Sequence, residues 1–516
     1  MANIILCGGI SIVPYIRPVG IYQLANVLRN NGYTVQVVDS FPWIAHLGIE
    51  EVLKIFDKFV DKDTLWIGFG STWFNRIDEL ITRVPGNITA GTSRNFREPL
   101  IRNTLLFDND QIEILKNRVY DKNPNVKFVM GGARAFLGKG GWCAPLIDCY
   151  IEGYADNTVL EYTKYLQGKN PFLQMRKNPD GSVSITHDHK AASFDYNNFK
   201  FTWDDTDLVN PGEMLPMEIA RGCIFTCAFC SYPLNGRKKM DYLKNPEVLR
   251  EQFIENYDRF GTTDYFFLDD TFNDSVEKLE ILHTEVFKKL PFKIKFGTYM
   301  RLDLINAHRE TVSMLKDMGI VGAMFGIESL NYEANKSIGK GITIDKVIEI
   351  GKILAEEWGD EVFLDSQYIL GLPNDGEAEI KEWLDIALSE DFPIRTSQIF
   401  PLHLSNDSEN KNMWTSKFGL NPEKYGYTFP DKNNPTWWVN NKGFSLEDAI
   451  RVRGDFNERW KQSVKPLYLG RQGRKILGTD VDRDTVWEYS QMWSTVGDFD
   501  ARIKFTKQYV EKLLAL

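Results

Sequence analysis

The chain has 516 residues, which is too many for one ordinary hydrophobic core, so we expect two or three domains. Hydrophobic residues make up 43% of it and charged residues 26%, a balance typical of soluble proteins. A net charge of −10 argues against a general affinity for nucleic-acid backbones. Because the sequence has no secretory signal, no apolar run that could span a bilayer and only six cysteines, we expect a cytoplasmic protein that binds no membrane.

Residues 1–167 alternate short apolar strands with helical stretches, which predicts a doubly wound, Rossmann-like α/β domain with a parallel sheet covered on both faces. The predicted strands are Asn3–Leu6, Thr34–Val38, Leu65–Phe69, Val126–Met130 and Cys149–Ile151. Several of them end in small residues, as the strands that line ligand sites in open α/β sheets do. The candidate ligand-contacting residues of this domain are Gly70, Ser71, Gly131, Gly132, Ala133 and Gly153.

Residues 168–212 are polar and lack a sustained period, so they are interpreted as a linker with one hairpin around 183–185. The alternation of strands and helices resumes within 213–404, which predicts a partial (β/α)6 barrel whose chemistry lies at the C-terminal ends of its strands. Its predicted strands are Met217–Ala220, Tyr265–Leu268, Ile294–Thr298, Gly322–Ile327, Val362–Leu370 and Ser397–Pro401. The helix after the first of these strands is predicted to have Asn245 as its N-cap and Gly261 just past its end. Residues 405–516 are interpreted as a mainly helical region that caps the barrel or contacts substrate.

Three cysteines within eight positions carry the strongest chemical signal. Cys223, Cys227 and Cys230 form a CxxxCxxC motif directly after the first predicted barrel strand. Three thiolates on one loop can hold three corners of a [4Fe–4S] cluster and leave one iron open to a small molecule. The alternative, a structural zinc ion, would need a fourth ligand close by, and the next histidine is His283.

The cysteine motif, with Phe229 before its last cysteine and a strand–helix series after it, resembles the signature of the radical S-adenosylmethionine superfamily. The resemblance covers about residues 213–404. It implies that the open iron binds S-adenosylmethionine and that a reduced cluster cleaves this molecule to a 5′-deoxyadenosyl radical. An electron donor such as flavodoxin or ferredoxin is then expected as a partner.

The resemblance also implies cofactor contacts at successive strand ends. Two alternatives remain for single residues, because Asp269 could cap a helix and Arg301 could pair with Asp303. The residues that match the superfamily's S-adenosylmethionine contacts are Asp269, Asp270, Asn273, Arg301, Glu328, Ser329, Gly371 and Pro373.

The first domain resembles the cobalamin-binding domain that precedes the barrel in one subgroup of this superfamily. The matching features are the loop from Pro14 to Gly20 and the end of the fifth strand, Gly153-Tyr154-Ala155-Asp156. Where the subgroup has Gly-Glu-Gly-Glu, only the first glycine and the last acid match. The sequence contains no Asp-x-His-x-x-Gly motif, and His46 is not expected to be a ligand, so no imidazole should reach the cobalt from below.

These features favour a cobalamin-dependent radical enzyme that transfers a methyl group to an unactivated carbon of a small molecule or peptide. A second hypothesis keeps the radical chemistry but treats the first domain as a cobalamin-free scaffold for another C–H transformation. A third hypothesis is a redox-sensing iron–sulfur protein. Binding of cobalamin and production of 5′-deoxyadenosine would distinguish the three.

Overall fold

A computed structural model describes residues 2–8, 17–39, 41–70, 109–132, 146–186, 194–232, 234–238, 240–359, 362–408, 415–431, 436–460 and 499–516. These residues form two parallel sheets with helices packed against them, followed by a C-terminal helical region. The predicted fold class is confirmed.

The first sheet has the strand order β2-β1-β3-β4-β5-β7-β6, in which β1 to β5 and β7 are parallel. Its first strands are apolar runs whose residues are all buried, as expected for a sheet covered on both faces. The strands are β1 Ile4–Cys7, β2 Val35–Val38, β3 Trp66–Gly70, β4 Lys127–Gly131, β5 Cys149–Glu152, β6 Arg176–Lys177 and β7 Val183–Thr186. The helices are α1 Val19–Arg29, α2 Phe41–Leu47, α3 Ile49–Phe59, α4 Asn109–Lys122 and α5 Thr158–Leu166.

The segment 168–212 was interpreted as a linker, and the structure places much of it in the first domain. The predicted hairpin is present as β6 and β7, and β7 extends the sheet by pairing with β5. Further on, Trp203 is 1% exposed and its ring packs edge-on against Tyr22 of α1 at 4.8 Å. The segment is therefore packed structure between the two sheets.

The second sheet forms the partial barrel, with six parallel strands in chain order from β8 to β13. The strands are β8 Leu215–Met217, β9 Asp264–Phe267, β10 Lys295–Met300, β11 Ile320–Glu328, β12 Phe363–Leu370 and β13 Arg395–Pro401. The helices are α6 Pro246–Phe260, α7 Val276–Ile281, α8 Leu302–Ala307, α9 Thr311–Met318, α10 Tyr332–Ser337, α11 Ile344–Trp358 and α12 Glu377–Ala387. As predicted, Asn245 caps α6 by accepting a hydrogen bond from the Glu247 amide, and Gly261 ends it in a left-handed conformation.

The described C-terminal region contains the helices α13 Lys417–Leu420, α14 Leu446–Trp460 and α15 Phe499–Ala515. α14 packs on β13 of the barrel, and the role of this region as a cap or substrate contact stays a prediction. By contrast, α15 packs on α2 and α3 of the first domain, where the Tyr509 hydroxyl accepts a hydrogen bond from the Asp39 amide at 2.9 Å. Among the described helices, none is long and apolar enough to cross a membrane.

Candidate active site

The three cysteines lie on the loop that leaves β8, at the C-terminal end of the barrel. Gly222, with φ +123°, makes the turn before Cys223, and a Cβ atom there would lie 2.8 Å from the Leu234 carbonyl oxygen. The loop then folds back on itself, because the Cys223 amide donates to the Leu234 carbonyl at 3.3 Å and the Arg237 amide donates to the Cys223 carbonyl at 3.1 Å. The structure thus brings all three predicted cysteines together.

Each sulfur atom has a polar neighbour from a different part of the barrel. The Asn235 side-chain amide donates to Cys230 Sγ at 3.0 Å, and an Arg301 guanidinium nitrogen donates to Cys227 Sγ at 3.6 Å. Cys223 Sγ lies 3.6 Å from the Thr271 hydroxyl. Burial raises the pKa of the Cys223 and Cys230 thiols, so cluster binding must displace their protons.

The number and kind of donors bear on the choice between a cluster and a single metal ion. The loop supplies three thiols, Cys223, Cys227 and Cys230. A structural zinc ion takes four ligands. A cubane can bind three thiolates, each on a different iron, so these three residues fit a [4Fe–4S] cluster.

Asp269 and Asn273 follow β9 and support the fold. The Asp269 carboxylate accepts hydrogen bonds from the Ile219 and Ala220 amides, both at 3.1 Å, and forms an ion pair with buried Lys278 at 2.9 Å. The Asn273 side chain both donates to and accepts from the backbone of Arg301 at 2.9 Å. These contacts join neighbouring strand ends, and the role of both residues as cofactor contacts stays a prediction.

Asp270 differs from its neighbour because, among the residues that the structure describes, no ion pair neutralises it. Burial, followed by the carboxylates of Asp269 and Glu218, raises the pKa of Asp270 to about 8. The Asp270 carboxyl is therefore mostly protonated at neutral pH and can donate a hydrogen bond there.

Arg301 follows β10 and touches the cysteine loop. Its Nε donates to the Asp303 carboxylate at 3.0 Å, and its guanidinium lies 4.1 Å from the centre of the Phe225 ring. The alternative pairing with Asp303 is thus present, and the contact of Arg301 with S-adenosylmethionine stays a prediction. Arg301 is 5% exposed and lies beside Cys227.

Glu328 ends β11 in a strained conformation and is paired with a lysine. Its φ of +71° is unfavourable for a residue with a side chain, and such strain is often retained at functional sites. Lys340 donates to the Glu328 carboxylate at 2.7 Å and to the Gly326 carbonyl at 2.6 Å. Its ammonium lies 6.0 Å from the centre of the Phe229 ring, inside the cysteine motif. Sequence reasoning missed Lys340, because it lies 12 residues beyond Glu328 and outside any motif considered.

The three remaining predicted residues lie at two strand ends. Ser329 follows β11, and Gly371 and Pro373 lie in the turn after β12. The Ser329 hydroxyl donates to buried Asp375 at 2.8 Å. Gly371, with φ +99°, packs so tightly that a Cβ atom would lie 2.0 Å from the Trp438 ring. Trp438 of the C-terminal region therefore packs directly on the turn after β12, at Gly371.

In the first domain, the predicted glycines lie at the C-terminal ends of neighbouring strands. Gly70 ends β3, Gly131 ends β4, and Gly132 and Gly153 follow β4 and β5 with φ of +101° and +98°. Among the described residues, the one atom within 4 Å of a Cβ built on Gly131 would be the Ile151 carbonyl oxygen, at 3.8 Å. The predicted contacts Ser71 and Ala133, and part of the loop from Pro14 to Gly20, lie outside the described residues.

The C-terminal strand ends of the two sheets meet through an ion pair that sequence reasoning missed. Arg221, two residues before Cys223, donates to the carboxylate of Asp156, four residues beyond β5, at 2.9 Å. In open α/β sheets with this strand order, 2-1-3-4-5, ligands bind beyond the carboxyl ends of the strands. The ion pair therefore joins the ligand-binding edge of such a sheet to the cysteine loop.

A parallel partial barrel with a three-cysteine loop after its first strand defines an enzyme of the cluster-dependent radical class. Residues 217–387 match the model of the Radical SAM superfamily, so this part of the chain is a radical SAM domain. An anaerobic magnesium-protoporphyrin IX monomethyl ester cyclase of Cereibacter sphaeroides is 23% identical over 279 residues, which are 50% of this chain and 44% of the relative. The chain thus spans less than half the length of that curated relative.

Two solved structures share the fold over nearly the whole chain. The radical S-adenosylmethionine methyltransferase TsrM from Kitasatospora setae, with cobalamin and a [4Fe–4S] cluster bound, matches with a TM-score of 0.57 and 12% identity, and the match covers 99% of both chains. The cobalamin-dependent S-adenosylmethionine radical enzyme OxsB, with aqua-cobalamin and S-adenosylmethionine bound, matches with a TM-score of 0.55 and 13% identity. That match covers 100% of this chain and 80% of OxsB. At these identities the likeness establishes the fold of both domains.

Proposed function

We propose that this radical S-adenosylmethionine enzyme is a cobalamin-dependent methyltransferase that acts on an unactivated carbon of a small molecule or peptide. The contact between Asp156 and Arg221 carries the proposal, because it joins the strand ends of the first domain to the cysteine loop. A corrin above those strand ends would then lie against the mouth of the barrel. The fold shared with TsrM and OxsB supports the same arrangement.

The charged residues around the cysteine loop suit the amino-acid end of S-adenosylmethionine. Arg301 and Lys340 supply two cations, and Asp303 and Glu328 supply two anions, which are paired with each other in the structure. A ligand carrying one ammonium and one carboxylate can exchange with these pairs without leaving an unbalanced buried charge. Arg301 is the residue suited to the carboxylate, since its planar guanidinium binds carboxylates in a bidentate manner.

The residues of the first domain suit a large flat ligand. Gly131 ends β4 without a side chain, and Gly132 and Gly153 allow the backbone to turn away after β4 and β5. When bound, the cluster with S-adenosylmethionine supplies hydrogen-atom abstraction, and cobalamin supplies the methyl group. The protein binds and orients these groups and keeps water from the space between the two domains.

Retention of cobalamin tests the proposal. Protein reconstituted anaerobically with iron and sulfide, then incubated with hydroxocobalamin, should retain a stoichiometric amount of the corrin after gel filtration. The Gly131→Leu variant should not retain it, because leucine would project from the end of β4, where the corrin is proposed to lie, while residue 131 keeps an ordinary φ. Gly132 is a poorer position for this test, since a leucine at φ +101° would also strain the backbone.

Two further measurements make the outcome interpretable. The Gly131→Leu variant should keep the cluster absorbance and the unfolding midpoint of the wild type, because the cysteines lie in the other domain. Mass spectrometry should detect 5′-deoxyadenosine when the reduced wild-type protein receives S-adenosylmethionine. If 5′-deoxyadenosine forms but no corrin is retained, methyl transfer is excluded and the cobalamin-free C–H transformation takes its place. If neither is observed, the radical function itself is refuted.

A further inference from the structure

We propose that Arg221 is a positioning residue through which the loop after β5 of the first domain holds the cluster-binding loop in place. This inference rests on the proposed function, since it concerns the loop that would carry the cluster. It assigns a role to Asp156, a residue of the first domain that lies far from the cysteines in sequence.

Arg221 uses its whole guanidinium to join three segments. Two of its nitrogens donate to the two oxygens of Glu218, both at 2.9 Å, and the third donates to Asp156 at 2.9 Å. Glu218 follows β8, whereas Asp156 follows β5 of the other sheet. Because a guanidinium is planar and its donors are fixed in direction, this geometry fixes the position of Arg221 relative to both loops.

Aromatic rings enclose the same guanidinium. It lies 4.4 Å from the centre of the Tyr196 ring, 5.6 Å from that of Tyr154 and 6.0 Å from that of Phe194. The Arg221 side chain is 13% exposed, so Glu218 and Asp156, rather than water, balance most of its charge. Removing either carboxylate would leave the buried guanidinium charge without a partner, which is energetically costly.

The position of Arg221 in the chain links this contact to the cysteines. Only Gly222 separates it from Cys223, and Gly222 holds a left-handed φ of +123° with little space around it. Because the one intervening residue is held in a fixed conformation, a movement of Arg221 would also move Cys223. The Arg221–Asp156 contact thus acts on the start of the cluster loop.

The same contact accounts for the fifth-strand end of the first domain. Of Gly153-Tyr154-Ala155-Asp156, the first and last residues match the subgroup pattern identified from the sequence. Gly153 has a φ of +98°, which favours glycine, and Asp156 is the acid that binds Arg221. The two residues that match the subgroup pattern thus have identifiable roles. Gly153 makes the turn after β5, and Asp156 binds Arg221.

The test compares two buried aspartates that each bind an arginine from another segment of the chain. Asp156 is 6% exposed and binds Arg221, and Asp207 is 3% exposed and binds Arg29 of α1 at 2.9 Å. Asp156→Asn and Asp207→Asn both remove one charge at nearly constant shape. Only Asp156 contacts a residue adjacent to the cluster loop, so Asp207→Asn is the matched control.

After anaerobic reconstitution, three quantities are measured for the wild type and both variants: the unfolding midpoint, the electron paramagnetic resonance spectrum of the reduced cluster, and the rate of cluster loss to an iron chelator. We expect both variants to unfold at lower temperature. Only Asp156→Asn should shift the resonance spectrum and accelerate cluster loss, by about tenfold or more, as expected for a lost charge-assisted contact. Asp156→Glu should restore part of the wild-type rate.

Three other results would refute the positioning role of Arg221. If Asp156→Asn and Asp207→Asn both keep the wild-type spectrum and rate of cluster loss, Asp156 and Arg221 serve only stability and the inference is wrong, while the proposed function stands. If both variants alter the cluster equally, the effect is a general loss of stability and the inference is also wrong. If the wild type binds no cluster, the proposed function fails, and the positioning role fails with it.

Discussion

Replacing Lys278 should destabilise the barrel strongly, because it would leave two buried carboxylates without their cation. The Lys278 ammonium lies 2.9 Å from Asp269 and 3.4 Å from Asp274, and it donates to the Thr271 carbonyl at 3.1 Å. All of these side chains are buried, and Lys278 is 0% exposed. Burial alone would lower the pKa of Lys278, but the two aspartates raise it, so the ammonium is charged in the folded protein.

The expected cost follows from removing one member of a buried ion pair. Such removals cost roughly 3–5 kcal/mol, since the remaining charge is uncompensated and cannot reach water. For a unit of the size of this barrel, 1 kcal/mol shifts the unfolding midpoint by roughly 2–4 °C, so Lys278→Met should lower it by roughly 6–20 °C. Asp269→Asn should also lower it, because the Ile219 and Ala220 amides would lose a charged acceptor.

The assay is thermal unfolding of the apoprotein, followed by circular dichroism so that cofactor binding does not contribute. Lys54→Met provides the control, because Lys54 pairs with Glu51 on an exposed helix surface, where an ion pair contributes at most about 1 kcal/mol. The double variant Asp269→Asn/Lys278→Met should lose less than the sum of the single losses. A shift for Lys278→Met no larger than that for Lys54→Met would refute the structural role assigned to this network.

Three further outcomes are expected. Lys340→Met should weaken binding of S-adenosylmethionine, measured by calorimetry on the reconstituted protein, because Glu328 loses its cation. Gly371→Ala should destabilise the protein by about 2 kcal/mol or more in chemical denaturation, since the added methyl group collides with Trp438 at a positive φ. Burial raises the pKa of Asp375 to about 7 from an ordinary 3.8, so its proton stabilises the fold at low pH and that contribution falls as the pH rises towards 7. Asp375→Asn should therefore remove a pH dependence of up to about 4 kcal/mol between pH 4 and pH 8.

Each of these predictions has a control variant or a result that would contradict it. Gly359→Ala shares the positive φ of Gly371 but has no atom within 4 Å of the new methyl group, so it should cost less. Equal costs at the two glycines would show that packing against Trp438 is unimportant. Parallel stability–pH profiles for the wild type and Asp375→Asn would contradict the pKa argument. For Lys340→Met, unchanged affinity with lowered stability would place the lysine in the fold alone.

The sequence by itself determined the features that depend on local spacing. The cysteine motif, the strand–helix alternation and the caps of α6 are encoded by neighbouring residues, and all were located from the pattern. The fold class followed from the same periodicities, because a continuous apolar strand requires cover on both faces wherever it is placed. The bounds of the barrel strands shifted by only a few residues.

Only the tertiary structure decided which polar residues reach the site and which hold the fold. Asp269 and Asp270 are adjacent and chemically identical, yet one is bound by Lys278 and two amides while the other has a raised pKa. The contact of Arg221 with Asp156 joins residues 65 positions apart, and no local pattern links them. Burial and charge pairing depend on which segments pack together, and that packing is a property of the whole chain.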